Sequence, residues 1–217
     1  MRDLRYTLLT DGSSDAAFLS IIDWLINDLY GEDLNPIGQW ADLRKLRKPP
    51  KQLDERIRTA YKMYPCDVFF IHRDSENEPL SSRELEIDRA CTFLIEESIP
   101  YIRVIPVRMI EAWLLIDEQA ILKAAGNPNF KVPPAHSLPA RKQLEKLSNP
   151  KARLHQIFRL AHEGKRRRRR KTAAISNIRI AELIPEFSGL RNLDAFQAFE
   201  AHAVHTLSRL ASPEPRQ

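Results

Sequence analysis

The sequence predicts a doubly wound α/β domain over residues 1–126, with a mostly parallel sheet and helices on both faces, followed by a helical C-terminal region over residues 127–217. Three observations support this prediction. The chain opens with a β-prone segment, a short Gly/Ser turn and an amphipathic helix, which together make half of a βαβ unit. An apolar run at 68–71 is typical of a strand buried on both faces. After residue 126 only helical patterns follow, and we expect those helices to pack on the α/β domain.

Alternating strands and helices account for the first 126 residues. The helix after the first strand repeats apolar residues at helical spacing, and Ser13 or Ser14 is placed to cap it. Ser81 and Glu84 form a capping box at the start of a later helix. The stretch 37–48 is ambiguous and allows a second strand near its beginning. The other expected strands are residues 5–10, 67–72 and 101–105, and the later expected helices are residues 51–64, 81–98, 109–116 and 118–125.

The C-terminal region carries an unusual concentration of positive charge. Four helices are expected there, at 137–147, 150–163, 173–184 and 193–210. Seven consecutive basic residues lie between the second and the third of these helices and carry a charge of +7. Because the whole chain has a net charge of +5, the remaining residues sum to −2. Such an uneven distribution of charge is typical of a protein that binds a polyanion. We expect these side chains to contact the phosphates of DNA or RNA. This arginine strip consists of Lys165, Arg166, Arg167, Arg168, Arg169, Arg170 and Lys171.

The composition argues against membrane and secreted classes of protein. The apolar runs are too short to span a bilayer, and residues 1–12 lack the apolar stretch of a signal peptide. The two cysteines, Cys66 and Cys91, have no metal-binding spacing and are expected to be free thiols. We therefore expect a cytoplasmic protein that does not associate with membranes.

Acidic residues follow three of the expected strands at the point where each strand ends. Asp11 and Asp15 follow the first strand, Asp74 and Glu76 follow the buried apolar strand, and Glu111 follows the next one. Carboxyl ends of parallel strands meet in one crevice, where gathered carboxylates repel one another and Mg²⁺ or Mn²⁺ relieves the repulsion. We expect metal binding by Asp11, Asp15, Asp74 and Glu76. The expected catalytic residues are Asp11, Asp74 and Glu111, with Glu111 completing the metal shell or orienting water.

The same edge of the sheet has features that suit a phosphate group. Gly12 allows the backbone to approach a phosphate closely, and the helix start behind Ser13 favours an anion. Arg108 lies shortly after the expected strand at 101–105 and is a candidate to hold the phosphate.

Three stretches of the chain resemble one known family. Asp11-Gly12, with Asp15 four positions on, and His72-Arg73-Asp74 occupy the places of the two acidic motifs of the Toprim family, the metal-binding fold shared by topoisomerases, primases and certain nucleases. The Glu-Ala-Trp at 111–113 is similar to the signature of small, stand-alone Toprim-like proteins. The segment 196–199, Phe-Gln-Ala-Phe, also suits those proteins, so the resemblance spans most of the chain.

The resemblance implies a Toprim/Rossmann-like fold and metal-dependent cleavage of phosphodiester bonds. It also implies an ATPase encoded nearby as a partner and a role in defence against phage. Two positions depart from the family pattern, since Asp11 replaces the usual glutamate and His72 replaces the first aspartate of an Asp-x-Asp pair. A neutral imidazole binds Mn²⁺ but is a poor Mg²⁺ ligand, so His72 either changes the metal preference or weakens catalysis. Glu76 is a candidate to supply the missing carboxylate.

Each candidate residue also has a structural interpretation. Asp11 and Asp15 suit a helix N-terminus, Asp74 and Glu76 suit a solvated turn, and His72 suits either a ligand or a hydrogen-bonded core histidine. Trp113 is interpreted as a core residue in preference to a platform for a nucleobase, whereas the histidines of the last helix have no acidic partners at metal-binding spacing.

Three functions remain open from the sequence. The first is a metal-dependent nuclease of Toprim-like type. The second is a catalytically weakened module that binds nucleic acid or an ATPase. The third is metal-dependent phosphoryl transfer on a small nucleotide.

Overall fold

The structure, a computed structural model, describes residues 1–76, 78–164 and 175–211. The strands β1 (Arg2–Leu9), β2 (Leu34–Trp40), β3 (Val68–His72) and β4 (Tyr101–Val104) form one sheet in the order β2-β1-β3-β4. Every neighbouring pair of strands is parallel. The α/β fold class is therefore confirmed, and the ambiguous stretch does begin inside a strand. The arginine strip at 165–171 lies outside the described residues.

Helices connect the strands and continue after the sheet. In the described ranges, short 3₁₀ helices cover Ser14–Ala17, Leu43–Lys45, Pro134–His136, Arg141–Lys146 and Ser188–Asn192. The α-helices are α1 (Phe18–Tyr30), α2 (Leu53–Met63), α3 (Leu80–Ala90), α4 (Thr92–Glu96), α5 (Glu111–Leu114), α6 (Glu118–Ala124), α7 (Pro150–Gly164), α8 (Asn177–Leu183) and α9 (Asp194–Ala211).

The strands alternate their side chains between two hydrophobic cores, one on each face of the sheet. Phe70 joins the core beneath α1, whereas Phe69 and Ile71 beside it join the core beneath α2 and α3. Because successive strand residues point to opposite faces, a strand covered by helices on both sides needs an uninterrupted apolar run. The core beneath α1 also contains Trp113 and Phe196, so the C-terminal helices share a core with the sheet.

The expected helix at 81–98 is wrong in two details. The helix begins at Leu80, directly after Pro79, whose φ of −57° and ψ of 144° lead into the first turn. Ser81 therefore lies inside the helix, and the expected capping box does not form. The helix also divides at Cys91 into α3 and α4. The residue that precedes the first turn is therefore Pro79, whereas the sequence pattern predicted Ser81 at that position.

The expected helix at 137–147 is also wrong. One 3₁₀ helix, Arg141–Lys146, stands there instead, and another, Pro134–His136, precedes it. Pro139 separates them, since proline has no N–H to donate and disfavours a helical conformation in the residue before it. The helices expected at 150–163 and 193–210 are confirmed as α7 and α9. The helix expected at 173–184 is shorter and forms α8.

Close contact between β1 and β2 requires a glycine. A Cβ atom on Gly38 would lie 2.3 Å from the hydroxyl oxygen of Tyr6. That hydroxyl donates to Asp23 Oδ1 at 2.7 Å, so the Tyr6 ring cannot turn away without losing a hydrogen bond. β2 forms one edge of the sheet, where Pro36 is tolerated because an outward-facing N–H has no ladder partner to lose.

The other edge strand, β4, is covered by α9. The Arg103 backbone N–H donates to His202 Nδ1 at 3.2 Å, and the Arg103 Nε–H donates to the same nitrogen at 3.3 Å. Nδ1 must therefore carry its lone pair, which protonation would remove. Burial, followed by the charge of Arg103, lowers the pKa of His202 to about 4, with a small further contribution from His205 and opposition from Asp88.

The His202 contact predicts a fall in stability with acid. The pKa of His202 is about 4 in the folded state against 6.5 for an unperturbed histidine, so the unfolded state binds more protons between those values. The contribution is complete above pH 6.5 and is lost as the pH falls toward 4. Partial exposure reduces the loss to about 1–2 kcal/mol, and urea unfolding at a series of pH values measures it.

His202→Asn is the matched control for this effect. Asparagine keeps an acceptor oxygen near the position of Nδ1 but does not titrate, so its unfolding free energy should depend less on pH than that of the wild type. An identical pH dependence in the two proteins would contradict the prediction.

None of the helices in the described part of the chain combines the length and the apolar character needed to cross a bilayer.

Candidate functional site

The candidate site lies at the carboxyl ends of β1 and β3. From β1 the chain passes to β2 on one side of the sheet, whereas β3 is followed by β4 on the other side. Connections that diverge in this way leave a crevice between the two central strands. Asp11 and Asp15 follow β1, and Asp74 follows β3, so the topology brings these three residues to the same edge as predicted from the sequence.

The turn after β1 is organised around Asp15. Its Oδ2 accepts the Gly12 N–H at 2.8 Å, and its Oδ1 accepts the Ser14 hydroxyl at 3.0 Å. Neither Ser13 nor Ser14 caps the helix start through its side chain, so that expectation is wrong. Asp15 is 7% exposed and accepts both hydrogen bonds from its own turn. At Gly12, where we expected the backbone to approach a phosphate closely, the N–H is therefore already bonded to Asp15.

His72 is the central residue of the site. It is 1% exposed, and its Nδ1–H donates to the Val104 carbonyl oxygen at 3.0 Å. Its other ring nitrogen, Nε2, lies 3.3 Å from Asp74 Oδ1 and 3.7 Å from Asp15 Oδ2. Within the described part of the chain, neither Nε2 nor Asp74 Oδ1 has a hydrogen-bond partner, although both atoms are buried.

Two buried acceptor atoms that face each other require a positive charge between them or on one of them. Burial alone would lower the pKa of His72, but Asp74 and then Asp15 outweigh it and raise the pKa above its ordinary value. A proton on Nε2 or a cation held beside it would relieve the conflict. The fixed Nδ1–H is typical of metal-binding histidines, which donate their second ring nitrogen to a carbonyl or carboxylate.

Asp11 is neutralised by arginines. Arg56 Nη1 and Arg73 Nη1 donate to its two carboxylate oxygens, the latter at 2.6 Å. Burial would raise the pKa of Asp11, but the hydrogen bond from Arg56 and the charges of Arg73, Arg56 and His72 together hold the pKa below its usual value. Arg73 also pairs with Glu86 at 2.8 Å, so Asp11 belongs to an ion-pair network at the rim of the site.

The loops after β3 and β4 are joined by a buried serine. Ser75 is 5% exposed, and its hydroxyl accepts the Arg108 N–H at 2.9 Å. Arg108 and Glu76 both have positive φ angles, 63° and 52°. Non-glycine residues rarely adopt this conformation, and those that do concentrate at functional sites. The Glu76 side chain is 71% exposed and lies 3.9 Å from Arg83.

Glu111 is buried at the start of α5, and its Oε1 accepts a hydrogen bond from Asn177 Nδ2 at 3.2 Å. Asn177 is itself 6% exposed and begins α8, which packs against both α5 and the turn Ser14–Ala17. Glu111 is therefore tied to α8 rather than directly to the other acidic residues. Trp113, two residues on, is fully buried, which confirms its interpretation as a core residue.

The four carboxylates that the sequence predicted as ligands of Mg²⁺ or Mn²⁺ do not converge on one point. Asp11 is engaged by two arginines, and Glu76 is directed toward solvent and Arg83. As the side chains stand, no group of three or more His, Cys, Asp or Glu residues within the described ranges is arranged to hold a metal ion. The chemistry of the Asp15, His72 and Asp74 set, one imidazole and two carboxylates, fits Mn²⁺ better than Mg²⁺. A turn of the carboxylates toward Nε2 is needed for that set to converge.

Three residues of the site were not predicted from the sequence. Arg73 lies between His72 and Asp74, and that position was its only signal. Arg56 reaches Asp11 from α2, and Asn177 reaches Glu111 from α8. Both contacts join segments distant in the sequence, so no local pattern indicated them.

Comparisons with known proteins add nothing to this geometry. No protein-family model, curated protein or solved structure matches the chain significantly.

Proposed function

We propose that this chain is a metal-dependent phosphodiesterase that acts on nucleic acid. The observation that carries the proposal is the buried pair of acceptors, His72 Nε2 and Asp74 Oδ1, which lie 3.3 Å apart with Asp15 beside them. Such a pair, at the crevice of a parallel sheet, is suited to a divalent cation and a phosphate ester. The resemblance of these positions to the Toprim motifs supports cleavage in preference to binding alone.

Asp15, His72 and Asp74 would hold the ion, which when bound supplies Lewis-acid polarisation of a phosphoryl oxygen. The protein fixes the donors beforehand. The Val104 carbonyl holds the Nδ1–H of His72, so that Nε2 faces the carboxylates and, once it has lost its proton, would offer its lone pair to the ion. The Gly12 N–H and the Ser14 hydroxyl orient Asp15.

Other residues are proposed to act on the substrate. Arg56 and Arg73 lie at the rim, where an incoming phosphate would compete with Asp11 for their guanidinium groups. Arg108 and the arginine strip are proposed as further phosphate contacts. Glu111, held by Asn177, is proposed as a residue that orients water. An ATPase partner and a role in phage defence are part of the same proposal and rest on the resemblance alone.

A second candidate function is a nucleic-acid-binding or ATPase-binding module with weakened catalysis. The ion pairs of Asp11 favour this candidate, because Arg56 and Arg73 already neutralise its carboxylate. A carboxylate held in this way contributes to the rigidity of the turn, but it has little charge left for a cation.

Incubation with supercoiled plasmid, single-stranded DNA and RNA tests the proposal, with Mn²⁺, Mg²⁺ or a chelator in separate reactions. We expect cleavage with Mn²⁺, slower cleavage with Mg²⁺, and none with the chelator. Electron paramagnetic resonance measures Mn²⁺ binding independently. Binding of Mn²⁺ and nucleic acid without cleavage would support the second candidate, and absence of Mn²⁺ binding would exclude the metal site.

A further inference from the structure

The loop between β2 and α2 is strongly basic. Residues 44–51, called here the 44–51 loop, contain five basic and no acidic residues. All five side chains are exposed. They are Arg44, Lys45, Arg47, Lys48 and Lys51.

The backbone of this loop is anchored to the protein. Leu43 is 5% exposed and belongs to the core beneath α2, and Leu46 packs against the same core. A 3₁₀ turn covers Leu43–Lys45, and Pro49-Pro50 restricts the chain before α2 begins. Because the leucines face inward at a spacing of three residues, the basic side chains between and after them face solvent. The loop therefore presents its charges from a fixed base.

The 44–51 loop lies at the same edge of the sheet as the candidate site, since it follows the carboxyl end of β2. Trp40 Nε1–H donates to the Thr10 hydroxyl at 2.9 Å, and that hydroxyl donates to the Gly12 carbonyl oxygen at 2.8 Å. The base of the loop is thus connected to the turn that carries Asp15. The Arg44 guanidinium lies 4.9 Å from the centroid of the same Trp40 ring, which places the first cation of the loop beside this connection.

Three of the five loop cations have no acidic partner among the residues that the structure describes. Arg44 and Lys45 pair with Asp42, at 2.7 Å and 3.6 Å. Arg47, Lys48 and Lys51 make no ion pair with any residue in the described ranges. Adjacent cations without counter-charges repel one another, and an extended polyanion relieves that repulsion.

We propose that the 44–51 loop binds the phosphodiester backbone of nucleic acid and directs it to the crevice between β1 and β3. The choice of nucleic acid as the polyanion rests on the proposed function. An anionic membrane is disfavoured by the loop itself, because membrane-surface segments insert apolar side chains, whereas Leu43 and Leu46 face the core. Contacts with phosphates alone carry no sequence preference.

The test compares the full chain with the triple variant Arg47→Gln/Lys48→Gln/Lys51→Gln. Binding of fluorescein-labelled single-stranded and duplex DNA and RNA is measured by anisotropy across a salt series, with a chelator present to prevent cleavage. The logarithm of the association constant decreases as the logarithm of the salt concentration rises. We expect this dependence to become shallower by about one unit of slope per side chain removed, equally for all nucleic-acid sequences. The matched control is Lys62→Gln/Lys123→Gln/Lys131→Gln, which removes the same charge from exposed positions elsewhere and should leave the slope nearly unchanged.

The outcomes are distinguishable from those of the cleavage test. Wild-type binding that the triple variant weakens supports the loop assignment even if neither protein cleaves nucleic acid, in which case only the proposed catalysis fails. An unchanged salt slope in a correctly folded triple variant would overturn the assignment. Binding to anionic lipid vesicles, with none to nucleic acid, would overturn it as well.

Discussion

Asp74→Asn is expected to reduce metal-dependent cleavage to below about one hundredth of the wild-type rate, since removal of even an outer-shell partner of a metal commonly costs ten- to a hundredfold. Asparagine keeps the size of the side chain but removes the charge that faces His72 at 3.3 Å. The Asp74 side chain is 33% exposed and lies outside the hydrophobic cores, so the fold should survive. Initial rates of plasmid cleavage with Mn²⁺ measure the effect.

Glu76→Gln is the matched control for Asp74→Asn. Both substitutions remove one carboxylate from the same loop, but Glu76 is directed toward Arg83 and solvent. Its loss should change the rate less than about twofold, in the range of surface substitutions. Mn²⁺ affinity provides a second readout, which should fall for Asp74→Asn and not for Glu76→Gln. Equal effects of the two substitutions would contradict the assignment of Asp74.

Trp113→Ala is expected to lower the free energy of unfolding by about 3–5 kcal/mol, the usual cost of truncating a fully buried aromatic residue. Trp113 has no exposed surface and contacts three aromatic rings, with centroid distances of 5.5 Å to Phe18, 5.3 Å to Phe196 and 5.9 Å to Phe199. Alanine would leave a cavity between α1 and α9. Chemical unfolding followed by circular dichroism measures the loss.

Trp113→Phe separates the contribution of the ring from that of the indole nitrogen. Trp113 Nε1 has no hydrogen-bond partner among the described residues. The substitution by phenylalanine therefore reduces the volume of the side chain without removing a hydrogen bond. We expect a loss of about 1–2 kcal/mol for this smaller change in volume. A loss as large as that of alanine would show that packing by the ring is not the source of the stability.

The order of strands and helices could be predicted from the sequence because period and burial are local properties. The apolar run of β3 indicated a strand covered on both faces, and residues 69–71 divide between two cores as that pattern requires. Capping was harder to predict. Ser81 and Glu84 have the spacing of a capping box, yet Pro79 begins the helix earlier. Several residues compete for one helix start, and the tertiary context decides among them.

The candidate site was predicted in part. The sequence placed Asp11, Asp15 and Asp74 at one edge of the sheet, and topology alone was sufficient for that. It did not indicate that Arg56 and Arg73 would neutralise Asp11, because arginine side chains are long and their partners depend on the packing of α2. The sequence left two interpretations of His72 open, a metal ligand and a core histidine. Its Nδ1–H bonds to the Val104 carbonyl as in a core histidine, whereas its buried Nε2, without a hydrogen-bond partner among the described residues, suits a ligand.

The sharing of one core between the sheet and α9 has a consequence for synthesis on the ribosome. Phe199 packs against Phe70 at a centroid distance of 6.3 Å, yet it is translated well over a hundred residues later. Until α9 emerges, the α1 side of the nascent sheet exposes aromatic surface, and such surface promotes aggregation and chaperone binding. Premature termination before α9 should therefore yield insoluble fragments. A chain that includes α9 can pack this helix against the sheet and bury the same aromatic surface.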